Sequence, residues 1–69
     1  MWMGVTLCES DSSLERRAVL NTDDIFLIYE NADRPDTTMV RFHNGAPNVL
    51  IKGTYEQNAK ILFGFNRKL

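Results

Sequence analysis

Apolar residues arrive in short packets separated by turn-formers at intervals of about ten residues, the spacing expected of a small β-rich domain. Residues 2–8 alternate, with Val5 and Leu7 on one face and Thr6 and Cys8 on the other. Glu9-Ser10-Asp11-Ser12-Ser13 is rich in side chains that bond their own backbone and predicts a loop. Residues 15–20 resume the alternation, with Arg16, Ala18 and Leu20 opposite Arg17 and Val19, and Asn21-Thr22-Asp23-Asp24 predicts a turn. Ile25-Phe26-Leu27-Ile28-Tyr29 is apolar on both faces and too short for a helix, which predicts a strand in the middle of the sheet, covered on two sides. The segment 31–36, with Pro35 in it, is a loop. Residues 37–43 alternate again, with Val40 and Phe42 opposite Met39, Arg41 and His43. Asn44-Gly45 is a strong hairpin signal, lengthened by Ala46-Pro47 into a loop of four, and 48–52 is the return strand, ended by Gly53.

The period then changes. Thr54 and Gln57 have the spacing of a capping box, in which each side chain satisfies the other's orphan N–H. Tyr55, Ala59, Leu62 and Phe63 share one helical face, and Gly64 stands where a left-handed residue closes a helix, with Phe65 packing back on it. Ile61–Phe65 also reads as a sixth strand, but capping and face together favour the helix. The outline is α+β: a small antiparallel β-meander of about five strands with one C-terminal helix. The chain forms a single domain over 1–69, with 66–69 a basic, frayed tail.

Composition sets the scale. The 69 residues are 43% hydrophobic and 25% charged, a globular balance with a marginal core. One cysteine makes no disulfide scaffold, and Cys8 reads as a small buried hydrophobe in a reducing compartment. No run approaches the ~20 apolar residues of a spanning helix, and no secretory leader stands at the N-terminus; a cytoplasmic protein is expected. The net charge of −1 conceals an asymmetry. Residues 1–36 carry three basic against eight acidic residues, net −5, and residues 37–69 carry five against one, net +4.

Catalytic chemistry finds little footing. His43 is the only histidine, too few for a zinc site, and reads as a solvent-facing strand residue. Asn31-x-Asp33-x-x-Asp36 lacks the spacing, the glycine and the distal glutamate of a calcium loop. The four glycines never cluster into a phosphate loop. Neither enzymatic activity nor a cofactor or metal is expected. Seven aromatics would suit a base-stacking sheet, but a pI near 5.7 opposes binding dominated by phosphate contacts.

Protein interaction is the leading expectation. So small a sheet has two edges for one helix to protect, and a marginal core gains from association. Trp2 and Phe65, with the basic Arg67 and Lys68, are the candidate interaction residues, and a protein partner, a homodimer or both are expected. The alternative is a phage- or bacteria-encoded regulator or inhibitor that binds or mimics nucleic acid through one charge pole. Leu20-Asn21-x-x-x-Ile25, Pro35-Asp36-Thr37-Thr38, Asn44-Gly45 and the Thr54-x-Glu56 helix start together resemble the small flagellar FlbD-type family linked to swarming motility. The resemblance spans residues 3–62. It implies a non-enzymatic accessory protein acting through protein contacts.

Overall fold

The computed structural model describes residues 1–9 and 14–64. Five antiparallel strands form one sheet: β1 (Trp2–Cys8), β2 (Glu15–Asn21), β3 (Ile25–Glu30), β4 (Thr37–Phe42) and β5 (Val49–Lys52). One helix, α1 (Tyr55–Phe63), follows them, and the fold is a small α+β fold. Asn21 caps a single 3-10 turn at Thr22–Asp24, its side chain accepting from the Asp23 N–H.

The strand order is β2-β1-β5-β4-β3. The meander therefore holds for β3-β4-β5, while the β1-β2 hairpin docks through β1 onto β5. Such an order dictates the curvature of the sheet. In a flat sheet β2 and β3 would lie about 19 Å apart, four strand spacings. Yet they are joined only by the 3-10 turn, and even a fully extended link from Asn21 to Ile25 spans no more than about 14 Å. The sheet curls until its first and last strands nearly meet. The turn ties both ends of the curl: the Thr22 N–H donates to the Met1 carbonyl at 2.8 Å and the His43 N–H to the Asp24 carbonyl at 2.8 Å.

The inner face carries the core predicted by the alternation. Leu20, Ile25, Val40, Ile51 and Leu62 form its buried centre, with Met3, Val5, Leu7, Ile28, Phe42 and Val49 packed around them. Leu62 brings the helix onto this concave face. The capping box forms as expected, and Gly64 ends the helix in the left-handed region at φ 67°. Residues 61–63 are thus helical and not a sixth strand. The contact expected of Phe65 and the tail at 66–69 lie outside the described residues.

Two expectations about position are corrected. β3 is an edge strand and not the middle of the sheet. The middle is β5, bonded on one side to β1 and on the other to β4, with Ile51 fully buried on the inner face and Leu50 7% exposed on the outer. β3 is apolar on both faces for other reasons. The helix packs beside it, and a bulge between Ile25 and Leu27 turns Phe26 out to solvent. The helix face is also rotated from the one expected: Asn58 is buried with Ala59 and Leu62, while Phe63 is exposed. The connection between β4 and β5 runs from 43 to 48, longer than the four residues anticipated, with the Asn44 side chain accepting from the Ala46 N–H.

Candidate interaction surface

Backbone polarity decides which edge of the sheet is available. In an antiparallel ladder, residue pairs alternate between bonded and non-bonded. The β1-β2 ladder is bracketed by two bonded pairs, Thr22 with Met1 and Glu9 with Leu14, the latter at 3.2 Å. With Met3 opposite Leu20, Val5 opposite Ala18 and Leu7 opposite Arg16, these even-numbered positions of β2 face β1. Glu15, Arg17 and Val19 therefore direct their N–H and C=O groups away from the sheet, as Asn21 does its N–H, while the Asn21 carbonyl is taken up by the 3-10 turn it caps. No described strand is hydrogen-bonded to β2 on that side.

The same argument gives a different result at β3. The Gly53 N–H donates to the Asp36 carbonyl, which makes Thr38 and Val40 face β5 and Met39 and Arg41 face β3. Ile28 and Glu30 of β3 then point outward, as does Ile25, whose N–H is taken up by the Thr22 carbonyl. Tyr55, Ala59 and Phe63 of the helix border this edge along Ile25–Ile28. The β3 edge is short and shielded, and the β2 edge is long and open.

Side chains beside the β2 edge make a mixed surface. On the outer face Trp2 is 69% exposed and Val19 67% exposed. Between Trp2 and Thr6 stands Gly4, opposite Val19, and no atom lies within 4 Å of where its Cβ would be. The result is a shallow open trough lined by Gly4, Thr6, Arg17 and Val19. Glu15 is drawn toward the middle of the sheet by Lys52, its Oε1 3.4 Å from the ammonium. Arg16 and Arg17 are exposed and have no ion-pair partner among the described residues. The edge is therefore basic.

Of the sequence-predicted interaction residues, Trp2 borders this surface, while Phe65, Arg67 and Lys68 lie outside the described residues. Sequence reasoning missed Arg16, Arg17 and Val19 as surface candidates. The signal was present in Val19, an apolar β-branched residue on the face opposite the core. The two charge halves of the sequence do not become two poles of the sheet. β4 and β5, from the basic half, lie between β1 and β3, from the acidic half, and Lys52 pairs with Glu15 across that division.

The remaining chemistry is dispersed. Cys8 is buried beside Leu50, and burial pushes its thiol up, aided by the Glu15 and Asp36 carboxylates against Arg34 and Lys52. His43 is exposed at the far end of β4, four residues beyond Met39, itself the β4 neighbour of Leu50. That is about 13 Å along the strand, so the two do not form a nucleophilic pair. His43 instead packs edge-on against Phe26, ring centres 5.2 Å apart, with the Arg41 guanidinium 5.9 Å from the same ring. Among the described residues no group of three or more His, Cys, Asp or Glu could hold a metal ion, and no helix is long and apolar enough to cross a membrane. No family model, curated protein or solved structure matches the chain.

Proposed function

We propose that this protein is a non-catalytic interaction module that works by strand addition at the β2 edge. The observation that supports the reading is the row of outward N–H and C=O groups at Glu15, Arg17 and Val19, continued by the Asn21 N–H, along the length of β2. Exposed edges of this kind pair with other chains, and the charges on this one select a partner of complementary charge. Main-chain bonding supplies affinity in such complexes, while flanking side chains and the trough beside Gly4 supply selectivity. The resemblance to FlbD-type proteins implies the same accessory role in protein contacts.

The test is a pool of random seven-residue peptides panned against the immobilised protein. Binders are expected to protect the amides of Glu15, Arg17, Val19 and Asn21 from hydrogen exchange. Val19→Pro removes one outward donor and no bond to β1, so it should lose these binders and keep the fold. An absence of binders, binders that leave these amides exchanging, or binders indifferent to Val19→Pro would each overturn the reading.

A further inference from the structure

We infer that the β2 edge is built for an extended acidic segment of a partner protein, added as a sixth antiparallel strand. The inference rests on the strand-addition reading above and identifies the chemistry of the occupant. Arg16 and Arg17 are consecutive, so they project to opposite faces of the sheet beside the same stretch of open backbone. Both are exposed and lack an ion-pair partner among the described residues, while the one carboxylate of β2, Glu15, is engaged by Lys52. An incoming strand with carboxylates opposite Arg17 and Arg16 would satisfy both guanidiniums while its backbone completes the ladder. Opposite-charge pairs directly across a ladder stabilise it and like charges destabilise it. Two positions before the first carboxylate, the same strand would lie opposite the exposed Val19, which calls for an apolar residue there. The recognised pattern, read from N- to C-terminus, is apolar, any, acidic, acidic.

A second copy of this chain fits less well. The self-paired register that uses all seven residues of β2 sets Ala18 opposite Ala18 and leaves the two Arg17 side chains diagonal neighbours. Centring the pair on Arg17 or Arg16 puts identical guanidiniums face to face. A strand carrying acidic residues meets no guanidinium repulsion, and the Glu15 carboxylate diagonal to it is engaged by Lys52.

Three blocked peptides test the inference: Thr-Val-Val-Thr-Glu-Glu-Thr, the same sequence with Gln-Gln, and the same with Lys-Lys. Trp2, the only tryptophan, reports binding by its emission, and amide protection at Glu15, Arg17, Val19 and Asn21 locates it. The Glu-Glu peptide should bind at least about tenfold more tightly than the Gln-Gln peptide at low salt, with the margin shrinking as salt is added. The double substitution Arg16→Glu with Arg17→Glu should reverse the order and favour Lys-Lys. If Glu-Glu and Gln-Gln bind alike at the edge, strand addition stands and the acidic partner fails. If no peptide binds and sedimentation shows a dimer with these four amides protected, the occupant is a second copy and the inference is likewise overturned. A monomer that binds none of the three overturns the acidic partner outright, and the random-peptide pool decides separately whether the edge is used.

Discussion

Asn58 carries more of this small core than any periodicity suggests. Its side chain is 6% exposed, and its Nδ2 donates to Thr38 Oγ1 at 2.8 Å, the Gly53 carbonyl at 3.1 Å and the Lys52 carbonyl at 3.2 Å. The Thr38 hydroxyl in turn donates to the Gly53 carbonyl at 2.9 Å. One amide thus ties the helix to β4 and to the end of β5. Gly53 is part of the same arrangement: at φ 110° it favours glycine, and a Cβ there would come within 3.0 Å of the Asn58 amide nitrogen. Removing the amide strands the Lys52 carbonyl, so Asn58→Ala should cost about 1–3 kcal/mol, read as a lower urea midpoint. Asn58→Asp should cost more, because a carboxylate would face the Lys52 and Gly53 carbonyls, neither of which can donate. Cys8 makes a prediction in pH. Its thiol titrates above the ordinary 9.0 because it is buried, so the fold favours the protonated form. The resulting stability is complete below the ordinary value and lost as pH climbs through the raised one. Urea midpoints measured at stepped alkaline pH should fall more steeply for the wild type than for Cys8→Ala; equal slopes would contradict this.

At the scale of elements, local chemistry and long-range pairing part company. The α1 start is local: Thr54 Oγ1 accepts from the Gln57 N–H at 3.2 Å and Gln57 Oε1 from the Thr54 N–H at 3.0 Å. Thr54→Ala should therefore cost about 1 kcal/mol in urea denaturation, while Thr54→Asp, which keeps an acceptor, should be nearly silent. That cap, the closing Gly64 and the inward alternation of β1, β2 and β4 were all legible in the sequence, since each depends on neighbours a few residues away. The place of β3 was not. Its two apolar faces meant two kinds of cover, and the sequence does not distinguish a flanking strand from a helix or a bulge. β5 held the same two-faced signal in Leu50-Ile51, but its shortness hid it. Asn58 was illegible because a polar residue on a helix looks the same whether it meets water or two carbonyls. The open edge of β2 could not be read at all before the pairing of β1 with β5 was known, whereas Trp2 and Val19 beside it were visible as apolar residues out of pattern.

For the molecule as a whole, the pairing of β1 with β5 determines whether the fold is one unit or two. Leu7 lies opposite Ile51 and Cys8 opposite Leu50, the short junction through which the β1-β2 hairpin joins the β3-β4-β5 meander. Ile51 is at its centre: fully buried, opposite Leu7 on one side and Thr38 on the other, and clustered with Leu20, Ile25, Val40 and Leu62 from β2, β3, β4 and the helix. Every element except β1 thus contributes a buried side chain to the cluster that Ile51 completes, and β1 packs against it through Met3, Val5 and Leu7. Truncating Ile51 to alanine should cost about 2–5 kcal/mol through lost burial and the cavity left behind. That approaches the roughly 3–5 kcal/mol a core in so small a domain supplies. Hydrogen exchange read by residue is the informative measurement. In the wild type, Arg16, Ala18 and Leu20 should be protected while Glu15, Arg17, Val19 and Asn21 exchange freely, following the alternation of the ladder. In Ile51→Ala, protection should fall together in both hairpins, because neither retains a closed core once the junction fails. Loss confined to β1 and β2, with β3, β4 and β5 still protected, would instead make the meander and helix a self-sufficient unit and the β2 edge part of a detachable hairpin.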